Sequence, residues 1–477
     1  MTGLSVVLIN PRDEGNRGVH PRHKCTPPLG LLYLGAALER AGHRVTVVEA
    51  NAWQLSEAEV AHAVLAARPD LVGLPVLVPV ERAVRRLVAG SRAAGLTCPV
   101  VLGGASVTTT PARVMEQLEG CDYLLRGYAE AGMVALCELL RGRLAREAVP
   151  GLVWREGPEA IFSPVEPATP NPAEGWRPAK HLVAEAYRQR RYFSLLERSR
   201  AVDTVITSLG CPCRCGYCYN VRPLYLTRPP EDVVAELVDA RARGVTHIEL
   251  VDDNFTLDRA RAMRIFELMI QERLGLRLIV KSRPERVDPE LLARARQAGV
   301  YQVSFGMESG AQPVLDAMGR GVRVADNERA CALTKAAGLL CHTSWIVGYP
   351  GETPETLRAT MGVVRRMRPT TAVFGVLRPY PGTRVYLEAQ AAGTLVGDWS
   401  VHSAEVPWVR LPWARSRRDL TRALTRAKLA WYGQPATMLS AARLLARADR
   451  SALGFAAREG LNVLRGALRA RRREEEP

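Results

Sequence analysis

Short apolar runs alternate with stretches of helical periodicity along most of the chain. Within residues 1–150, residues 5–9 (SVVLI) read as a buried strand, 30–41 as a helix and 44–49 (RVTVVE) as a second strand. Residues 70–76 and 100–102 supply two more strands, with helices at 61–67 and 83–94 between them. Strand, helix, strand in repetition predicts a doubly wound, Rossmann-like parallel sheet, whose ligands sit outside the carboxyl ends of the strands. Those ends carry the unusual residues: the loop 10–29, the turn from Pro75 to Pro79, and Gly103 and Gly104. Paired glycines there either let a ligand approach backbone closely or permit tight strand-to-helix packing; the pattern leaves both open.

Residues 151–200 hold Pro164, Pro167, Pro170, Pro172 and Pro178, with Gly157 and Gly175. Such a stretch does not support long helices or central strands and reads as a linker between domains. From residue 201 the alternation resumes, with apolar runs at 204–207, 248–251, 278–280, 301–305, 343–347 and 372–376 and helical patterns at 230–243, 259–273, 289–298 and 325–337. Six such units over 201–395 make a partial (β/α)6 barrel of the TIM type, in which function collects at strand ends. The runs end in Asp252, Asp253 and Asn254, in Ser282 and Arg283, in Gly306, Glu308, Ser309 and Gly310, and in Gly348, Gly351 and Glu352. An Asp pair there also serves to cap the next helix, and an Arg to pair with it. Residues 396–477 form a C-terminal helical tail: Leu420, Leu424, Ala427 and Trp431 share one face, as do Leu461, Leu464 and Leu468. Its basic residues Arg443, Arg447, Arg450, Arg465 and Arg469 suit an anionic membrane surface, but a helix covering the barrel is the preferred reading. Residues 471–477 read as frayed. His402, Trp408 and Trp413, between barrel and tail, read as interdomain packing, with a substrate lid as the other choice.

A chain of 477 residues exceeds one ordinary core and calls for two or three domains. The formal charge of +16 comes largely from arginines spread through helical patterns, without interleaved aromatics, so nucleic acid is not expected as a partner. No window offers the ~18 uninterrupted apolar residues of a membrane span; peripheral membrane contact stays open. The N-terminus opens directly on a strand-like run without a secretory signal pattern, and six cysteines outside the knot at 211–218 lack a disulfide-like framework. The expectation is a cytoplasmic protein.

Chemistry concentrates in residues 208–220, SLGCPCRCGYCYN, where Cys211, Cys215 and Cys218 stand in the spacing C-x3-C-x2-C. Three thiolates that close can share a 4Fe-4S cluster and leave one iron open. Zinc and disulfides also use Cys-rich knots. Zinc wants a fourth ligand, and Cys213, which alternates with the motif cysteines, is read as a non-ligand.

The motif closely resembles that of the radical S-adenosylmethionine (SAM) superfamily. The resemblance implies that the open iron chelates SAM and that an electron from the cluster cleaves it to a 5'-deoxyadenosyl radical. Segments similar to DDNF, FGMESG, the Arg320 region and IVGYPGE surround SAM in that superfamily. This assigns SAM contacts to Tyr217, Asp253, Arg283, Glu308, Arg320, Ile346 and Gly348, with Tyr217 and residues 346–348 against adenine and Glu308 and Arg320 at the polar end. The order NPR, PPLGLLYLGAAL, GGASVTTTP and CDYLLRGYAE resembles the cobalamin-binding type domain that precedes many radical SAM domains, and implicates Pro75, Gly103 and Gly104 in cobalamin binding. The chain lacks the D-x-H-x-x-G motif; His20 and His23 lie in the right loop with the wrong spacing and read as loop histidines rather than cobalt ligands. The group most similar includes anaerobic magnesium-protoporphyrin ester cyclase and the hopanoid and natural-product methylases. It implies a small-molecule substrate, a reductant such as flavodoxin or ferredoxin, and C-methylation or oxidative cyclisation in a secondary-metabolite, lipid or tetrapyrrole pathway. A cobalamin-independent dehydratase or epimerase tailoring a sugar or antibiotic is the alternative, and a non-catalytic cluster- or corrinoid-binding partner the third reading.

Overall fold

The computed structural model describes residues 3–13, 24–173, 175–194, 201–219, 224–399, 406–435 and 437–438. His20, His23, His402 and the tail from residue 439, with its leucine face at 461–468 and its basic residues, lie outside them. The chain divides into two compact units, Met1–Phe193 with Trp399–Ala404, and Ser194–Asp398 with Glu405–Pro477.

The first unit is built on seven strands: β1 (Ser5–Asn10), β2 (Arg44–Glu49), β3 (Leu71–Pro75), β4 (Val100–Gly103), β5 (Tyr123–Leu125), β6 (Leu152–Glu156) and β7 (Glu159–Phe162). They lie in the order β2-β1-β3-β4-β5-β6-β7, the first five parallel and the last two antiparallel. Alternate residues of the parallel strands feed two cores. Val6, Leu8, Leu71, Val101 and Leu125 pack against the helices Leu29–Arg40 and Glu130–Leu140. Val7, Ile9, Val72, Leu74, Val100 and Leu102 pack against Glu57–Ala66, Glu81–Ala93 and Pro111–Gln117. Burial on both faces is why these strands read as continuous apolar runs. The crossover after β1 covers one face and the crossover after β3 the other, so the switch point lies between β1 and β3, where open sheets of this order bind ligands.

Residues 151–193 are not a linker. Leu152, Val153 and Trp154 of β6 are buried against the sheet, and β6 and β7 extend it past β5. The prolines follow these strands rather than interrupt them, and Trp176, beyond most of them, stacks on Tyr33 with ring centroids 3.7 Å apart. Proline density marked the irregular part of the segment and hid the hairpin before it.

In the second unit the main strands are β8 (Val202–Val205), β11 (His247–Leu250), β12 (Arg277–Ser282), β13 (Val300–Glu308), β14 (Leu340–Val347) and β15 (Thr371–Val376). The short pairs β9 (Ser208–Leu209) with β10 (Leu226–Thr227), and β16 (Leu395–Val396) with β17 (Trp408–Val409), complete the numbering. The six main strands are all parallel and neighbour one another in chain order, with β8 and β15 at the edges, which is a partial barrel. Several of its helices start where side chains cap them. Asp258 accepts from the Arg261 amide, Asp288 from the Leu291 amide, and Thr353 from the Thr356 amide. The helix Arg417–Tyr432 opens with a Ser416–Asp419 capping box and buries Leu420, Ala427 and Trp431 against the barrel, so this part of the tail covers it. Trp408 and Trp413 pack in one core with Leu315, Met318 and Tyr349 of the barrel, and Trp413 Nε1 donates to the Glu352 carbonyl at 2.6 Å, so they join the chain after residue 395 to the barrel.

Candidate functional site

The cysteine loop leaves the sheet just after β9. Its base is tied down by Asp252, which accepts from the Thr207 amide at 2.7 Å, Thr207 Oγ1 at 2.5 Å and Ser208 Oγ at 2.7 Å. Asp252 therefore serves the loop, while Asp258 caps the next helix. Cys211, Cys213 and Cys215 are half-buried and Cys218 is exposed. The Gly216 amide donates to Met318 O at 2.8 Å, and its carbonyl accepts from the Val385 amide at 2.9 Å. A Cβ on Gly216 would stand 2.6 Å from an Arg384 nitrogen and 2.8 Å from the Tyr349 hydroxyl, so a larger residue would have to displace these side-chain ends. Arg283 Nη1 lies 3.6 Å from Cys215 Sγ, placing a cation where thiolate charge gathers. Burial pushes the bare Cys211 thiol up to about 11, with Cys213 and Asp253 nearby, so metal ligation must supply the positive charge that makes it a thiolate. Among the described residues no three His, Cys, Asp or Glu side chains gather as ligands of a single ion. A 4Fe-4S cluster asks for something else, one thiolate for each of three iron corners, and three cysteines on one pinned loop beside a guanidinium fit that donor set.

Four of the seven residues assigned to SAM meet in one network. Arg320 Nη1 donates to the Tyr217 hydroxyl at 2.9 Å and lies 3.7 Å from Glu308 Oε1, and Arg320 also donates to the Gly306 carbonyl. Arg283 donates to the Arg320 carbonyl and pairs with Glu285 at 2.5 Å. Glu308 holds a left-handed φ of 63° where the β13–β14 register shifts, which turns its side chain back toward Arg320. Burial raises the Glu308 carboxyl, opposed by Arg320, and burial with the nearby Glu308 charge raises the Tyr217 hydroxyl well above its ordinary range. Asp253 stands apart from this network. Burial raises its carboxyl and Lys281 opposes the rise. Gly348 (φ 89°) and Ile346 stand at the end of β14, where Ile346 packs beside Tyr217 and Tyr349 in one core; a Cβ on Gly348 would meet Leu420 at 2.8 Å. The Gly348 amide donates to Glu352 Oε2 at 2.7 Å, and burial pushes the Glu352 carboxyl up to about 7.

Three buried polar atoms near these strand ends, Asn254 Nδ2, Arg320 Nε and Glu352 Oε1, have no protein partner. Each such atom costs about 1–3 kcal/mol when left unsatisfied. Arg320 holds Tyr217 of the cysteine loop and Asn254 Oδ1 accepts from the Arg283 amide, so their spare donors suit a polar ligand with acceptors of its own, and SAM has them. Asn254 and Glu352 were visible in the sequence only as polar strand ends; Tyr349 and Arg384, which crowd Gly216, gave no local signal.

In the first unit, Pro75, Gly103 and Gly104 line one cavity of about 360 Å3 at the carboxyl ends of β1, β3 and β4, together with Asn10, Leu77 and Met133. Gly104 needs its glycine for packing as well: φ is 96°, and a Cβ would lie 3.0 Å from the Val76 carbonyl oxygen. The Ser106 hydroxyl, just beyond, is buried without a protein partner. Among the described residues no histidine lines the cavity. A largely apolar slot of this size, floored by glycine backbone, fits the heterocyclic base and sugar of cobalamin's nucleotide arm rather than the whole corrin.

A family model for the radical SAM superfamily matches residues 205–364, and one for the B12 binding domain matches residues 18–137. An uncharacterized methyltransferase of Pyrococcus horikoshii is 26% identical over 422 residues, 87% of this chain and 89% of that one. The anaerobic magnesium-protoporphyrin IX monomethyl ester cyclase of Rubrivivax gelatinosus is 26% identical over 379 residues, 76% of this chain and 66% of that one. The fold is similar to that of a radical SAM methyltransferase from Kitasatospora setae solved with cobalamin and a [4Fe-4S] cluster bound, with a TM-score of 0.73 and 23% identity over 94% of this chain and 90% of that one. With the cysteine loop at the strand ends and the glycine-floored cavity in the preceding unit, these matches show a B12 binding domain at residues 18–137 followed by a radical SAM domain at residues 205–364.

Proposed function

We propose that the protein is a cobalamin-dependent radical SAM enzyme that methylates an unactivated or aromatic carbon of a small molecule, or closes a ring there oxidatively. The observation that carries this reading is the Tyr217–Arg320–Glu308 network, tied through Arg283 to Cys215 of the three-cysteine loop, in a chain whose other unit opens a glycine-floored cavity at its own strand ends. When bound, the cluster supplies the single electron that cleaves SAM, and the corrinoid supplies a methyl carrier. Cys211, Cys215 and Cys218 hold the cluster. Arg320 meets the carboxylate of SAM, and Glu308 takes its donors. Tyr217, Ile346 and Gly348 shelve the adenine, and Arg283 steadies both Cys215 and the Arg320 backbone. Asp253, outside that network but close enough to Cys211 to act on its thiol, contacts the cofactor's amino end. Pro75, Gly103 and Gly104 hold the nucleotide arm of cobalamin. The cysteines outside the knot lack a disulfide-like framework, which suits a reducing, cytoplasmic compartment with flavodoxin or ferredoxin as electron donor. No described helix is long and apolar enough to cross a membrane.

The test is anaerobic reconstitution with iron, sulfide and hydroxocobalamin, followed by desalting, visible spectroscopy and a SAM-cleavage assay. Stoichiometric retained cobalamin with SAM cleavage supports the reading. A cluster that cleaves SAM while no corrinoid stays bound would replace it with a cobalamin-independent dehydratase or epimerase. No cleavage in a fully loaded, reduced protein points to a non-catalytic partner.

A further inference from the structure

Asn10 and Glu49 are the last residues of β1 and β2 and are partners in the parallel ladder. Asn10 Nδ2 donates to both carboxylate oxygens of Glu49, at 2.8 and 3.0 Å, and the Ala52 amide donates to Glu49 Oε1 at 3.0 Å. Glu49 is buried, with 4% of its surface exposed. A carboxylate accepts hydrogen bonds and does not donate them. The Asn10 carboxamide must therefore turn its NH2 toward Glu49, which fixes its carbonyl oxygen on the opposite side. Asn10 also lines the cavity that contains Pro75, Gly103 and Gly104, at the switch point between β1 and β3. The lining is otherwise apolar side chains and glycine except for Tyr128 and Glu130, whose Oε1 already accepts from Trp176 Nε1 at 3.3 Å, so the oriented Asn10 carbonyl is an acceptor that sets how a ligand lies.

We propose that Asn10 accepts a hydrogen bond from a ribose hydroxyl on the nucleotide arm of the corrinoid, and that Glu49 is the positioning residue that orients it. The inference rests on the reading of the first unit as a cobalamin carrier. The ligand chemistry is specific, since the arm carries hydroxyl donors and the cavity is the size of that arm. Cobinamide, a corrin without the nucleotide arm, lacks the hydroxyls and serves as the control.

The experiment titrates the full reconstituted chain with hydroxocobalamin and with cobinamide at about pH 8, above the Glu49 titration near 7, reading Kd by absorbance. Asn10→Ala is expected to weaken cobalamin binding about tenfold, the loss of one net hydrogen bond, and to leave cobinamide binding unchanged. Glu49→Gln is expected to act in the same direction and less, because a glutamine amide can present its NH2 to the Asn10 oxygen and turn the carboxamide. Asn10→Ser, which still donates to Glu49 but no longer presents the carbonyl, repeats the Asn10→Ala result in a chain whose strand ends stay tied. Equal weakening toward both corrinoids would mean a merely structural role, and unchanged cobalamin affinity would remove the contact; either overturns the proposal. Wild-type chain that retains no cobalamin overturns it together with the functional reading, whereas wild-type retention with indifferent variants overturns the contact alone.

Discussion

A φ of 96° with a ψ of −171° at Gly104 lies in a region of backbone space essentially reserved for glycine. Gly104→Ala is expected to cost about 1–3 kcal/mol and to lower cobalamin retention, measured by urea unfolding and by desalting; a variant as stable as wild type would show that the backbone there relaxes freely. At the cysteine loop, replacing Cys211, Cys215 or Cys218 by Ala should remove the cluster's visible absorbance and SAM cleavage, while Cys213→Ala keeps both. Cluster loss on removal of Cys213 in a folded chain would reverse that ligand assignment. Glu352 gives a pH dependence. Burial raises its folded-state carboxyl from 4.5 to about 7, so the folded chain binds the proton more tightly than the unfolded chain between those values. Its contribution is fully present below about 4.5 and is lost as pH rises through 7, roughly 3 kcal/mol in all. Glu352→Gln should flatten that slope and be the more stable protein at pH 8, as read by denaturant midpoints across the range; an unchanged slope would place the effect elsewhere. The cysteine spacing and polar strand ends were legible in the chain because they are local. The Asn10–Glu49 pair was not, although a polar residue closing each of two apolar strands was its visible trace. The Tyr217–Arg320 contact joins residues 103 positions apart, and nothing short of the fold reveals it.

Among the elements, β1, β3 and β4, buried along their lengths, announce themselves as apolar runs, whereas β2 and barrel strands such as β12, β14 and β15, whose burial alternates, stood out through shorter apolar stretches. β5, with only three residues, and the β6–β7 hairpin, beside a proline-rich stretch, offered too little pattern. The helix Arg417–Tyr432 was legible by its spacing, and its function as a cover follows from what it touches. Trp431, 2% exposed, sits in the barrel's core, and the Tyr432 hydroxyl donates to the Ala372 carbonyl at 2.9 Å. Trp431→Ala should cost about 3–5 kcal/mol, seen as a lowered Tm of the second unit. A loss below ~1 kcal/mol would mean that the helix rests on the barrel without sealing it.

At the scale of the whole molecule, the two units bury separate cores, and each ligand is assigned to one of them. Anaerobic calorimetry is therefore expected to show two unfolding transitions, with hydroxocobalamin raising the first unit's and SAM the cluster-loaded second unit's, each by mass action. One transition moved by both ligands would show that the units unfold together. Composition did not foretell how the positive charge is used. Arg228 and Arg261 are buried ties that brace the root of the cysteine loop, Arg228 against Asp232 and Glu236 and Arg261 against backbone carbonyls, rather than parts of a basic surface.

The continuous part of the first unit ends at Phe193, eighteen positions before Cys211. During synthesis its seven-stranded sheet, edge hairpin included, is complete in the nascent chain before any cluster thiol is made. Trp399, whose carbonyl accepts from Arg113, comes from later in translation. The corrinoid-binding half thus has the opportunity to take up its cargo on the ribosome, whereas the oxygen-sensitive half waits for strands spread over the next two hundred residues. Maturation has a built-in sequence, with the air-stable cofactor's site first and the iron–sulfur site last.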